Sequence, residues 1–223
     1  IDAITIIKND VEVWQKDYLT QESGRFSDDE TFYVSFDSAS VPMHPGDNPR
    51  GTRGWHGTLQ VTGADLVDFS ATDFLSPDFN QLERDEANPA LLHFSTGTRG
   101  DTSSIQLKLK NIKRRAQVKI ALKPATEQGS PARFRPTGTS PASVVELSFA
   151  DLKRGETHQV LPFDVYNDRV TLRRVIKDGP MDVRFTFEDA GASQGDYYFV
   201  RVKQANDAMA WSSPIWIGGF PSR

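Results

Sequence analysis

The feature that most constrains the fold is a succession of short segments in which apolar and polar residues alternate. Residues 31–37 show it most clearly, because Phe32, Val34 and Phe36 share one parity, as on one face of a β-strand. Similar segments recur at a spacing of roughly ten to fifteen residues, and none sustains the apolar spacing of a helix. The pattern therefore predicts an all-β protein. The segments are residues 4–14, 55–62, 66–70, 91–95, 105–109, 118–122, 144–149, 158–163, 170–175 and 183–187.

The end of the chain predicts a closing β-hairpin. Apolar and charged side chains alternate over residues 197–203, as in a half-buried strand, and residues 206–207 favour a turn. The chain then returns through Trp211 and Trp216, one of which we expect to anchor the hairpin. Pro214 cannot donate a hydrogen bond to a ladder, so it fits an edge strand or a bulge.

Two further hairpins and one helical turn are predicted from local signals. Residues 4–14 contain two apolar runs on either side of Lys8, Asn9 and Asp10, which favour a turn. The Gly-Ala-Asp segment after residue 62 predicts a second hairpin between residues 55–62 and 66–70. Residues 79–84 could form a single helical turn.

This pattern indicates an antiparallel β-sandwich of jelly-roll-like type, together with a small fibronectin-type sandwich that the chain termini form. We predict that residues 1–25 and 177–223 make the small sandwich, because chain ends often lie close together. Residues 26–176 then form a larger inserted sandwich, with a long surface loop near residues 127–143. The alternative is one continuous sandwich over residues 1–223.

The composition excludes several classes of protein. The 223 residues are 37% hydrophobic and 25% charged with a net charge of −4, so they do not predict binding to nucleic acid. Without cysteine there are no disulfides and no thiolate metal sites. The absence of cysteine does not distinguish a reducing from an oxidising compartment. No apolar run approaches the roughly 20 residues that a membrane span needs. Because the chain begins at Ile1 without a signal-like stretch, we expect it to be a portion of a longer protein.

Six cations cluster within a dozen residues. They are Lys108, Lys110, Lys113, Arg114, Arg115 and Lys119. Such a group can contact phosphates, but no aromatic residue is interleaved for stacking on bases. We interpret the cluster as the solvated tip of a hairpin, where charges protect an edge strand.

Three aromatic residues are candidates for binding a ligand. Exposed rings stack on sugars, and Trp55, Tyr33 and Phe79 are the candidates for such a platform in a carbohydrate-binding module. Trp55, however, shares parity with Leu59 and Val61, which favours a place in the core. The two alternatives predict opposite exposures for the indole.

A second candidate site is acidic. The densest carboxylate group consists of Asp68, Asp73, Asp78, Glu83, Asp85 and Glu86. Loop oxygens of this kind bind calcium, so Asp73, Asp78, Glu83 and Asp85 are candidate ligands of a structural ion, and a solvated acidic loop is the alternative. A sandwich glycosidase or lyase would instead use two of these carboxyl groups, or Asp37 with Asp47, as an acid and base pair.

The four histidines, His44, His56, His93 and His158, are isolated in the sequence. Hydrolysis assisted by a metal ion needs three or more ligands that converge. The spacing of these residues therefore predicts neither a metal centre nor a catalytic set within the chain, and no other cofactor is indicated.

Both ends of the chain carry a resemblance to a known family. Residues 4–11, 197–202 and 210–217, the last containing Ala-Trp-Ser-Ser-Pro-Ile-Trp, resemble the C-terminal β region of a large group of uncharacterised bacterial proteins. Those proteins are similar to the polymerase-and-histidinol-phosphatase (PHP) superfamily of metal-dependent phosphoesterases. Residues 55–59 are a further, weaker match.

The resemblance implies a supporting role. The superfamily holds its metals with His and Asp residues that begin with a His-x-His pair, and this chain has no such pair. It therefore implies a non-catalytic accessory module, which packs on or shapes the substrate entrance of a catalytic domain upstream of Ile1. It also implies an exported bacterial protein, periplasmic or extracellular. The first alternative is the carbohydrate-binding module, and the second, less favoured one is the stand-alone sandwich enzyme.

Overall fold

The computed structural model describes residues 1–18, 26–38, 52–74, 80–124, 127–128, 142–152, 155–163, 166–175, 179–206 and 208–219. Sixteen antiparallel strands and one short 3-10 turn, Phe149–Asp151, make up the regular structure of these residues. The prediction of an all-β, antiparallel sandwich is confirmed, whereas the jelly-roll and fibronectin types stay predictions. In the described part of the chain, no helix has the length and apolar character needed to cross a bilayer.

The strands are β1 (Ala3–Lys8), β2 (Val11–Asp17), β3 (Glu30–Asp37), β4 (Thr52–Thr62), β5 (Asp65–Thr72), β6 (Gln81–Arg84), β7 (Leu91–Thr98), β8 (Thr102–Lys110), β9 (Gln117–Leu122), β10 (Glu127–Gln128), β11 (Ser143–Ser148), β12 (Glu156–Phe163), β13 (Tyr166–Arg174), β14 (Tyr197–Lys203), β15 (Met209–Trp211) and β16 (Ile215–Trp216). The chain divides into two compact units. The terminal unit comprises Ile1–Glu22 and Ile176–Arg223, and the central unit comprises Ser23–Val175.

Two sheets form the central unit. One has the order β11-β9-β4-β7-β6, with β10 also pairing with β4, and the other has the order β12-β13-β3-β8-β5. On β3, β4, β7, β8, β9, β11 and β13, side chains of one parity are buried between the sheets, as the alternation predicts. Aromatic rings interlock across this core, with Phe36 and Phe94 stacked at 4.8 Å and Phe32 edge-on to Phe149 at 4.7 Å. Burial of apolar surface, worth about 25 cal/mol per Å², is the main force that holds the sheets together.

Two predicted hairpins in the central unit are wrong. Strand β4 pairs with β7 and β9, while β5 pairs with β8 in the other sheet, so the turn at residues 63–64 passes from one sheet to the other. The connection at residues 111–116 does the same between β8 and β9. The two connections touch, because the amide of Lys113 donates to the carbonyl of Gly63 at 2.8 Å. The alternation determines which side chains face the core. It does not determine the sheet to which a strand belongs, because the same apolar face is buried in either sheet.

The terminal unit contains a single sheet of order β15-β14-β1-β2, with β16 also pairing with β14. Both hairpins predicted here are confirmed. Asn9 and Asp10 adopt positive φ angles of 49° and 65°, the geometry of a tight two-residue turn. The returning strand pairs with β14 as two short pieces, β15 and β16, and Pro214 lies in the break between them.

Two local predictions fail, and the choice between the two anchoring tryptophans is decided. Residues 81–84 form strand β6 instead of a helical turn. Residues 183–187 pair with no strand in the described part of the chain, although Phe185 stacks on Trp14 with ring centroids 4.9 Å apart. Trp211 is 57% exposed and does not anchor the hairpin, whereas Trp216 packs on Tyr197 at 4.8 Å.

Candidate functional site

The aromatic candidates occupy different environments. Trp55 on β4 is 1% exposed, its indole Nε1 donates to Thr98 Oγ1 at 2.8 Å, and the Arg53 guanidinium lies 4.8 Å from its ring. A buried indole cannot stack on a sugar, so this position counts against the predicted platform. Tyr33 on β3 is half-buried, and its hydroxyl accepts from Gln106 Nε2 at 3.2 Å. Phe79 lies outside the described residues, so its role stays a prediction.

The acidic candidates do not converge where the structure describes them. Asp85 Oδ2 is 2.8 Å from His93 Nε2, and its Oδ1 accepts from the amides of Ala87 and Asn88 at 3.0 and 2.9 Å. These bonds, the one with His93 above all, lower the pKa of Asp85. Asp78 lies outside the described residues. The residues that are described hold no group of three His, Cys, Asp or Glu side chains with metal-binding geometry.

Other candidate acids form ion pairs. Asp68 binds Lys108 at 3.0 Å, and this contact lowers the pKa of the carboxyl group. Asp37 binds Arg169 at 2.8 Å. Glu83 and Glu86 are exposed, and Asp47 is outside the described residues. The pairs hold neighbouring strands together, since Asp37 and Arg169 are cross-strand partners.

The histidines that the structure describes make different contacts. His56 Nδ1 lies 2.8 Å from Ser95 Oγ, and burial lowers the pKa of His56, as do the nearby charges of Lys123 and Arg53. His158 is exposed on β12, and His44 lies outside the described residues. Each described histidine therefore has its own surroundings, as the spacing in the sequence predicts.

A buried ion pair was missed from the sequence. Arg53 Nε donates to Asp168 Oδ2 at 3.0 Å, and the two side chains are 3% and 0% exposed. Because β4 and β13 belong to opposite sheets, the pair crosses the core of the central unit. The sequence does contain a signal of this pair. Asp168 shares parity with Val170 and Leu172, which both face the core, so its carboxylate occupies a core position. A charge at a core position requires a buried partner.

The terminal unit contains a polar cluster around one lysine. Lys8 Nζ lies 2.8 Å from Asp189 Oδ2 and 3.0 Å from Asp196 Oδ2. The Tyr198 hydroxyl also donates to Asp189, at 2.6 Å, and Asn9 Nδ2 donates to Asp196 at 2.8 Å. We call Lys8, Asp189, Asp196 and Tyr198 the lysine cluster. It fastens the segment before β14 to the end of β1.

Electrostatics in the lysine cluster favour the charged forms. Hydrogen bonds from Lys8 and Tyr198 lower the pKa of Asp189 to about 2. Hydrogen bonds from Asn9 and other donors lower the pKa of Asp196 to about 2, and the same two carboxylates raise the pKa of Lys8. Both carboxyl pKa values are depressed, so the stabilisation is present above the ordinary value of 3.8 and is lost as the pH falls through about 2.

An apolar cavity of about 400 Å³ adjoins this cluster. Aliphatic and aromatic side chains supply most of its wall, and Asp189 and Tyr198 form its polar edge. The apolar residues that line it are Ile6, Phe185, Phe187, Val200, Ile215 and Ile217. The Asp189 carboxylate at the edge of the cavity already accepts hydrogen bonds from Lys8 and Tyr198. These bonds connect the segment before β14 to the sheet, so the lysine cluster contributes to the packing of the terminal unit.

The opposite face of β14 carries a row of aromatic rings. The rings of Tyr197 and Phe199 lie nearly parallel, with an interplanar angle of 7° and centroids 6.4 Å apart. Trp216 is the cross-strand partner of Tyr197 and packs on its ring. All three side chains are half-buried. We call these three residues the aromatic row. The parity of Tyr197 and Phe199, opposite to that of Val200 and Val202 on the same strand, is visible in the sequence.

The chain matches no protein-family model, no curated protein and no solved structure. Its fold and sites define an all-β protein of two units, with one antiparallel sandwich and one separate antiparallel sheet. The resemblance of residues 4–11 and 197–217 to the β region of PHP-like proteins stays a prediction.

Proposed function

We propose that this chain is a non-catalytic β module of a larger PHP-like hydrolase, in which it packs on or shapes the substrate entrance of an upstream catalytic domain. The observation that supports the proposal is the use of the candidate reactive groups in structural contacts. Asp85 caps a turn and binds His93, Asp37 binds Arg169, and Asp68 binds Lys108.

The direction of the pKa shifts supports the same conclusion. A general acid works at neutral pH when its surroundings raise its pKa, so that the carboxyl group keeps its proton. Donors lower the pKa of Asp68 and Asp85 instead, which keeps both ionised. Neither group suits the acid half of a glycosidase pair.

An assay of the purified chain tests the proposal. We expect no hydrolysis of bis(p-nitrophenyl) phosphate above the buffer rate, with manganese or zinc added, while a metal-dependent phosphodiesterase assayed in parallel turns the substrate over. Linking the chain to the upstream domain should raise the kcat/KM of that domain on a bulky phosphodiester. Metal-dependent turnover by the chain alone, abolished by a chelator, would refute the accessory role.

The aromatic row favours a second candidate function, a carbohydrate-binding module. Tyr197 and Phe199 present nearly parallel rings, and aromatic ring faces stack against the apolar faces of sugars. The charged pair Arg201–Glu12 lies on the same face of the sheet, with Arg201 donating to Glu12 at 2.6 Å. Its groups supply hydrogen-bond donors and acceptors of the kind that sugar hydroxyls bind.

A glycan-binding measurement tests this second function. If a glycan array finds a ligand, Trp216→Ala should weaken its binding by about tenfold, because one ring contact is lost. The control is Tyr198→Phe on the paired strand β14, whose side chain lies on the opposite face of the sheet, and it should leave the affinity unchanged. Absence of any glycan ligand, or equal losses in the two variants, would rule out the aromatic row as the platform.

A further inference from the structure

One end of the central unit carries a dense group of cations. Lys110 ends β8, and Lys113, Arg114 and Arg115 follow in the connection to β9. All four side chains are exposed. We call residues 110–116 the basic arch.

The basic arch has a defined shape. The amide of Lys113 donates to the Gly63 carbonyl at 2.8 Å, and the amide of Ala116 donates back to the Lys113 carbonyl at 2.9 Å. Asn111 Nδ2 donates to Asp65 at 2.7 Å, and Ala116 itself is fully buried. The cations therefore project from a backbone that is fixed at both ends. Binding consequently costs little conformational entropy of the loop.

The charges of the basic arch are not neutralised locally. Within the described residues, Lys110, Lys113, Arg114 and Arg115 form no ion pair. Their neighbours do, since Lys108 binds Asp68 at 3.0 Å and Lys119 binds Glu146 at 2.8 Å. Two carboxylates lie nearby, because Asp65 at the start of β5 is the cross-strand partner of Lys110 and Asp151 belongs to the adjoining 3-10 turn. Among the described residues, this end therefore has four cations against two anions.

Protection of an edge strand does not explain the charges. Strand β8 lies between β3 and β5, and β9 lies between β11 and β4, so both strands are internal to their sheets. An internal strand has no free row of backbone groups that charges would need to shield. The prediction that this segment is a hairpin tip whose charges protect an edge strand is therefore wrong. The cluster of cations needs a different explanation.

We infer that the basic arch binds the phosphate headgroups of an anionic lipid surface. Exposed cations on a fixed loop can each approach a different phosphate of a planar surface, and clustered Lys and Arg residues recognise such surfaces. Sites for single-stranded nucleic acid add a groove and aromatic rings that stack on bases, and the arch contains no aromatic residue. Its one large apolar residue, Ile112, packs against the core, so binding is electrostatic and depends on salt.

Co-sedimentation of the chain with vesicles tests this inference. We expect binding to vesicles of phosphatidylcholine with about 30% phosphatidylglycerol and none to phosphatidylcholine alone. Raising the salt from about 50 to about 300 mM should abolish the binding. The double variant R114Q/R115Q should weaken partitioning roughly thirtyfold at low salt, since each cation contributes about fivefold.

The matched control is K108Q/K119Q, which removes the same net charge from two neighbouring cations that are already paired. It should retain most of the binding, and circular dichroism should show the wild-type melting profile for both variants. Equal losses in the two variants, or no binding to the anionic vesicles at low salt, would overturn the inference. Binding of inorganic polyphosphate or duplex DNA without binding of vesicles would also overturn it and assign the arch to a soluble polyanion.

Discussion

Replacing Arg53 with methionine is expected to lower the free energy of unfolding of the central unit by ~3–5 kcal/mol. The substitution leaves the Asp168 carboxylate, which is 0% exposed, without the guanidinium that lies 3.0 Å away. The loss of an ionic partner from a buried charge is among the most destabilising changes that a core can undergo. Urea unfolding monitored by far-ultraviolet circular dichroism measures the change.

Two further variants isolate the effect of burial. Arg169→Met breaks the ion pair with Asp37 on the neighbouring strand β3, but that arginine is exposed, so the loss should stay below about 1 kcal/mol. The double variant R53M/D168L replaces the buried pair with apolar side chains and should recover most of the lost stability. Losses of similar size for Arg53→Met and Arg169→Met would contradict the account.

The course of each strand was predictable, because period-2 alternation is a local property. Residues 32, 34 and 36 face the core as their parity requires, and the Asn9–Asp10 turn has the positive φ angles that a two-residue hairpin needs. The partner of each strand was less predictable. A segment with one apolar face can bury that face in either sheet of a sandwich. The local signals therefore predict hairpins at residues 63–64 and 111–116, where the chain in fact passes from one sheet to the other.

The candidate sites show the same division between local and distant information. The parity of Trp55 with Leu59 and Val61 correctly indicated burial. The partner of Asp168 was out of reach, because Arg53 lies 115 residues away and on the opposite sheet. Residues 183–187 alternate like a strand, but their phenylalanines pack on Trp14 while their backbone forms no ladder with the described residues. The packing of side chains and the pairing of backbones in a ladder are separate requirements. Only side-chain packing is reflected in the alternation of apolar and polar residues.

Trp55→Ala is the second substitution for which we expect a large effect, a loss of ~3–5 kcal/mol from the free energy of unfolding of the central unit. The indole fills space between the sheets next to Phe36, with ring centroids 5.4 Å apart, and its removal leaves a cavity that the rigid strands cannot close. The hydroxyl of Thr98 also loses its indole donor. Urea unfolding again provides the measurement.

Trp211→Ala is the matched control, because that indole is 57% exposed and lies on a short edge strand of the terminal unit. It should change the stability of the terminal unit by less than about 1 kcal/mol. The comparison also separates packing from recognition. If Trp55→Ala left the unfolding curve unchanged, the indole would not fill the core, and its place as a ligand platform would have to be considered again.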